Sequence, residues 1–383
     1  MILSDLFNFS FLLILLIFIC VKMKLSRNIF ILLLGHLVLV FFLNYFLFDP
    51  FLFGDQFQYL SAVIHIRSGL FNFLQVSGSL KMHISALLMS LPPVPFLDSI
   101  YALSMANVFV FIVTFLILLK NNVLKGFNKM FYLLYPSLAL YSALALRDMI
   151  ITCFMLLSVY FISKRRYFFS IIAALPLILI KIQNILIYVL SFFVFFVFFK
   201  TKGVFVKVVA ITSFVIFFMI FKDSFSIEAI NLARTGMFYE NMKTVQGAAS
   251  IGSELVIINN YVDLFKLGFE SMFSFIFKPL IWQARNPLQL VQSFENIFVG
   301  WVIFRLVYLK VKHKINSDLI RFLLVYTIIA FGLYGMVVFN YGTAVRYKFP
   351  FVIVFVTFFY YELVRIKPSL RGKPIFFFWR DKK

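Results

Sequence analysis

The chain has 383 residues, of which 63% are hydrophobic, 20% aromatic and only 13% charged, and it carries a formal net charge of +21. So few polar groups cannot coat a water-soluble globule of this length, which makes lipid the expected solvent. The Lys and Arg residues fall in short loops between apolar runs, a pattern of sorting to one membrane face that argues against a nucleic-acid-binding groove.

Runs of roughly 20 apolar residues, with shorter ones tolerated inside bundles, predict an all-α polytopic transmembrane helix bundle of about 11 spans. In chain order the expected spans are Leu6 to Val21, Ile29 to Phe48, Ile100 to Leu119, Met130 to Leu146, Met149 to Ser163 and Tyr167 to Ile180. They continue with Ile185 to Phe199, Val204 to Phe221, Leu290 to Leu309, Leu319 to Val338 and Phe349 to Val364. With the basic loops inside, 24 basic residues face only Asp318, Glu362 and Asp381, and the whole net charge lies on that side. The first run is preceded by Asp5 and no basic residue, and no small-x-small cleavage site follows it. It is therefore expected to remain as a span that starts outside. An odd number of crossings then leaves a basic tail, residues 365–383, inside. The whole of 1–383 is expected to form one integral membrane domain.

Two outer segments are too long to be turns. The first, 49–99, holds Gly54-Asp55-Gln56 with Tyr59, and a piece from His83 to Leu91 that is too short to span and stops at Pro92-Pro93, as a re-entrant or interfacial helix would. The second, 222–289, has near-soluble composition, with Gly236, Gly247 and Gly252 in its middle. Its later half, Tyr261 to Ile281, alternates Phe clusters with Lys266, Glu270 and Lys278, which reads as a helix lying at the surface and not as a twelfth crossing. Two short hairpins place polar groups near the outer face: Arg147-Asp148 in one, and Lys181-Ile182-Gln183-Asn184 in the other.

A charge within hydrocarbon costs about 2.5–3.5 kcal/mol on insertion scales, so charged residues at the membrane edge need partners or a wet cavity. Asp55, Arg147, Asp148, Lys181, Arg285, Glu295 and Arg346 all map to outer ends of spans, which predicts one outward cavity of mixed sign. Asp55 reads either as a carboxylate that holds or deprotonates a hydroxyl or as a helix cap. Arg147-Asp148 reads as a self-neutralising turn or, with Lys181 and Gln183, as a phosphate clamp. Asn340 to Pro350 reads as a short outer loop, bracketed by Gly342 and Pro350, that presents Arg346 and Lys348 at the surface for a lipid phosphate or for headgroups. Glu295, inside the ninth span, calls for a nearby cation such as Arg147 or Arg346 and serves as an ion-pair member or an acid.

Metal and nucleophile chemistry find no support. His36, His65, His83 and His313 are scattered with no ligand spacing, Cys20 and Cys153 fall inside spans, and no GxSxG or phosphate-binding glycine loop occurs.

The Gly54-Asp55-Gln56 group with Tyr59, the Pro136-Ser137 to Arg147-Asp148 segment and the Gly342 to Pro350 segment resemble polytopic glycan enzymes of the GT-C type. In size, Phe and Ile richness and one long late outer loop, the chain is similar to bacterial O-antigen or capsule repeat-unit polymerases, called Wzy or EpsG-like. That resemblance implies a glycosyltransferase of the bacterial inner membrane, with its amino terminus periplasmic and its carboxy terminus cytoplasmic. It would move a glycan chain from undecaprenyl pyrophosphate to the next lipid-linked repeat unit at the periplasmic face. It further implies Asp55 as base or acceptor-positioning group and Arg147 and Arg346 as catalytic cations at the leaving pyrophosphate, assisted by Lys181. Tyr59, Asp148, Gln183, Arg285, Glu295 and Lys348 would contact substrate. No cofactor and no metal are implied. The implied partners are lipid-linked oligosaccharides, membrane lipids and a chain-length regulator, with no nucleic acid. A GT-C transferase of single sugars from a polyprenyl phosphate, and a lipid-linked glycan flippase, are the alternatives. The second outer loop lacks the His-Arg pairing of related ligases, which speaks against a ligase.

Overall fold

Proline and buried amides decide where the apolar runs of this chain stay helical and where they break. The computed structural model describes residues 3–69, 79–205, 207–209, 211, 212, 219, 226–243, 251, 252 and 254–370. Among the described residues every regular element is helical, apart from two isolated bridges, Asn44 with Phe48 and Ile251 with Asn340. The expected span from Val204 to Phe221, the tail beyond residue 370 and Gly247 fall wholly or largely outside the described residues.

The chain divides into two compact units, Met1–Ile185 and Leu186–Lys383. In the first, α1 (Leu3–Lys22) and α2 (Arg27–Leu43) are followed by α3 (Asp55–Arg67) and α4 (Leu80–Ser90). Next come α5 (Ile100–Lys120), α6 (Phe127–Leu134), α7 (Pro136–Ser142), α8 (Asp148–Ser163), α9 (Tyr167–Ala174) and α10 (Pro176–Ile180). Then α11 (Ile182–Phe195) carries the chain from the first unit into the second. The second unit continues with α12 (Ile227–Met242), α13 (Tyr261–Phe277), α14 (Pro287–Lys312), α15 (Asp318–Val337) and α16 (Tyr341–Ile366).

Among the described residues six helical segments are long and apolar enough to cross a membrane: Leu3–Lys22, Ile100–Lys120, Ile182–Lys200, Pro287–Lys312, Asp318–Val337 and Tyr341–Ile366. Arg27–Leu43, Asp148–Ser163 and Tyr167–Ile180 are apolar but shorter. The expected Met130 to Leu146 span is not one helix. Pro136 has no N–H for the carbonyl four residues back, so α6 stops at Leu134 and α7 restarts at Pro136. His36 then bonds the Leu133 carbonyl at 2.9 Å, supplying the donor that an unbroken helix would have provided. Pro176 divides the Tyr167 to Ile180 run in the same way.

In the second unit, α16 is the central helix, with 83% of its apolar window buried. Its Tyr347 and Phe351 rings pack on Tyr334 of α15, at centroid distances of 5.0 and 5.9 Å. In lipid, apolar contact alone does not bring helices together, and small residues that allow close approach do most of that work. Here α13 crosses α15 over such residues: a Cβ added to Gly335 would lie 2.5 Å from the Ser271 carbonyl oxygen, and Gly332 faces the Gly268 backbone. At one end of this unit Lys200 pairs with Asp318 at 2.8 Å, and Glu362 bonds both Ser317 and Arg365, at 2.5 and 2.6 Å.

Candidate functional site

Each unit holds a polar centre. In the first unit the chain leaves helix at Ala143 and resumes it at Asp148, although residues 143–146 are completely buried. Buried irregular backbone is tolerated only where its N–H and C=O groups find partners inside the protein. Three side-chain amides supply them. Asn44 donates to the Ala143 carbonyl at 3.0 Å, Asn107 donates to the Leu144 and Leu146 carbonyls at 2.7 and 2.6 Å, and the Gln56 Oε1 accepts from the Ala145 N–H at 2.8 Å.

This bridge brings two of the sequence-predicted segments together. Asp55 neighbours Gln56 in the first turn of α3, and Arg147 lies two residues beyond Ala145 as the N-cap of α8. Asp55 is half-buried, Tyr59 and Asp148 are buried, and Arg147 is half-buried. Gly54 has φ −51 and open space around it, so it makes no glycine-only turn, and Asp55 belongs to the helix instead of leaving its end. An acidic residue in a first turn also favours the helix dipole, which is the capping reading of Asp55.

Lys181 caps α10 with φ −150 and ψ 77 and is buried, while Gln183 is exposed in the first turn of α11. Asn184 donates to the Met155 sulfur at 3.3 Å and so ties this second break to α8. The expected short helix from His83 to Leu91 is present as α4, which ends at Ser90, before Pro92. The loop after it is gathered by Arg67, whose guanidinium donates to the carbonyls of Ser90, Pro92, Val94 and Pro95.

The second unit holds a cavity of about 790 Å³, within the roughly 300–1,000 Å³ range of small-molecule sites. Its walls come from α12, the 251–256 segment, α13, the 278–285 strap, the end of α15 with the 338–340 turn, and the start of α16. Charged groups of both signs line it, Arg234, Lys278 and Arg285 with Glu254 and Glu270, beside Trp282, Gln283, Asn340 and Tyr341. Trp282 is 80% exposed, so a large aromatic face is open to a ligand.

Each wall has an identifiable support. Arg234 is buried and donates to the Met336 and Val256 carbonyls at 2.9 and 2.6 Å. Burial pushes its guanidinium down from its ordinary pKa while leaving it a cation. Asn231 exchanges a pair of hydrogen bonds with the backbone of Ile258, at 2.8 and 3.0 Å. Gly252 donates to the Phe339 carbonyl at 2.8 Å and lies so close to the Tyr341 ring that any side chain there would collide with it. The strap is held at its far end by Gln289, whose side chain accepts from the Arg285 N–H at 2.8 Å, and by the Asn286 cap of α14.

Of the expected residues, Arg285 lines this cavity, but Arg346 and Lys348 are not in its wall. The expected loop from Asn340 to Pro350 is helical: Asn340 caps α16, and Pro350 lies inside that helix. Lys348 is 1% exposed, and its Nζ bonds the Asn296 side chain and the Ile276 carbonyl, so it is not presented at the membrane surface. Glu295 is buried two turns into α14, and Lys348 is among the groups on which it acts electrostatically. Lys348 and Arg346 are two residues apart on one helix, roughly 200° around its axis, so they address different surroundings.

Sequence reasoning missed Arg234, Asn44 and Asn107. Single amides in apolar runs are the signal that could have found the last two, because an amide in lipid needs a partner. Among the described residues no cluster of His, Cys, Asp and Glu could hold a metal ion. No protein family, curated protein or solved structure matches the chain.

Proposed function

We propose that this protein is a membrane glycosyltransferase of surface-polysaccharide synthesis. It would transfer an undecaprenyl-pyrophosphate-linked glycan chain onto the next lipid-linked repeat unit at the periplasmic face of the bacterial inner membrane. The observation that carries this reading is the mixed-sign cavity of about 790 Å³, with an open Trp282 face, in a unit of long apolar helices. A sugar needs such surroundings: an aromatic face for its C–H surface, and carboxylates and amides for its hydroxyls. A pyrophosphate leaving group needs cations, here Lys278 and Arg285.

In the transfer, the acceptor hydroxyl oxygen forms a bond to the anomeric carbon while the bond from that carbon to the pyrophosphate oxygen breaks. The pyrophosphate leaves with the electron pair, and the hydroxyl proton passes to a carboxylate base. The roles expected from the sequence, Asp55 as base or acceptor-positioner with Arg147, Lys181 and Arg346 at the leaving group, stay part of the proposal as expectations separate from the cavity, whose wall contains none of these four. So do the eleven-span topology and the outside-to-inside orientation of the termini.

Deleting the gene in its host bacterium and resolving surface polysaccharide on a gel tests the proposal. A lost ladder with one repeat unit retained supports a polymerase. Loss of that unit as well points to a single-sugar transferase, and an unchanged profile removes both. A lipid-linked glycan flippase is the second reading, favoured by the interrupted α6–α7 and α9–α10 runs, because broken helices often line transport sites.

A further inference from the structure

We infer that Lys348 and Asn296 form a buried latch that sets the position of the cavity's strap, acting as positioning residues and not as substrate ligands. This rests on the reading of the cavity as the functional site. A helix ends with carbonyls that have no partner within the helix, and those at the end of α13 lie where the chain turns into the strap. Lys348 donates to the Ile276 carbonyl at 3.1 Å and to the Asn296 Oδ1, while Asn296 donates to the Lys278 and Phe277 carbonyls at 2.8 and 3.4 Å. Three consecutive carbonyls, residues 276–278, are thus held by two side chains from α16 and α14.

Burial works against an ammonium at this site, and the negative end of α13 and the Glu295 carboxylate, one residue before Asn296, offset part of that cost. Gly300, a turn further along α14, leaves room for the Phe277 ring, so the same junction is also fixed by packing. Lys278 is the first cavity-lining residue of the strap, and Gln289 holds its last, Arg285. Trp282, Gln283 and Arg285 are therefore suspended between two anchors, of which the latch is one.

The test reads strap position without any glycan. Ala284→Cys is introduced into protein lacking Cys20 and Cys153, purified in detergent, and the rate of maleimide labelling is followed. A control cysteine, Lys312→Cys, reports the opposite end of α14. Asn296→Leu, and the charge-neutral pair Glu295→Gln with Lys348→Met, are expected to raise labelling at position 284 on the order of tenfold and leave position 312 unchanged. Combining them should add little, because either change opens the same latch. Unchanged labelling at 284, equal change at 312, or fully additive effects would each overturn the inference. If Lys348→Met prevents accumulation of the protein, Asn296→Leu alone decides by the same readout. Should the gel experiment remove the polymerase reading while labelling at 284 still shifts, the latch stands and only the assigned reaction falls.

Discussion

Gln56 and Ala145 are joined across 89 positions of sequence by a 2.8 Å hydrogen bond, the backbone N–H of Ala145 donating to the Gln56 side chain. One amide thereby fixes α3 against the buried break that ends at Arg147. Gln56→Leu leaves that N–H without its acceptor and should cost ~1–3 kcal/mol. Thermal unfolding in detergent should show the loss, and Gln56→Glu, which keeps the acceptor, should show less of it.

His36 and Pro136 are expected to be coupled. His36→Leu removes the donor to the Leu133 carbonyl and should destabilise by ~1–3 kcal/mol. In a Pro136→Ala background α6 can continue into α7 and supply an internal donor. The same His36 change should then cost less than about 1 kcal/mol. Equal costs in both backgrounds, measured by unfolding, would contradict this account of the break.

Glycines at two sites should respond in opposite directions. Gly335→Ala drives a methyl group against the Ser271 backbone at the α13 and α15 crossing and should destabilise by about 1–3 kcal/mol. Gly236→Ala, inside α12 with nothing within 4 Å of its new carbon, should be neutral or stabilise by up to about 1 kcal/mol. Paired melting curves check both.

The cavity's exposed and buried residues should separate activity from stability. Arg285→Ala and Trp282→Ala remove exposed groups and should lower polymer formation at least about tenfold with little change in melting temperature. Arg234→Met strips the donors from the Met336 and Val256 carbonyls and should lower the melting temperature, together with activity. Polysaccharide gels and unfolding curves on the same variants distinguish the two classes.

Arg67 should tolerate no replacement, Lys included. Its planar fork reaches four carbonyls of the 90–95 loop, and a single ammonium cannot match that geometry. Arg67→Lys is expected to cost about 2 kcal/mol, and limited proteolysis should then cut first within this loop.

Hydropathy located the apolar helices well, because the cost of exposing a backbone group to lipid acts locally, residue by residue. The runs at Leu6 to Val21, Ile100 to Leu119 and Leu319 to Val338 became helices of nearly those bounds. The same reasoning found the short helix before Pro92 and the helix within Tyr261 to Ile281. It failed at Asn340 to Pro350, where glycine and proline read as loop punctuation. There α16 runs on through Pro350, although proline removes one N–H from the helical ladder, and the helix beyond it is almost wholly buried.

By itself, then, the sequence determined that this chain is helical, suited to lipid and strongly basic, since each of these follows from composition and local periodicity. Which polar groups meet was decided only by the tertiary structure. Gln56 finds Ala145, Lys348 finds Asn296 and Arg234 finds Met336 over separations of 89, 52 and 102 residues. A buried donor must have an acceptor, but nothing local to it specifies which distant segment will provide one.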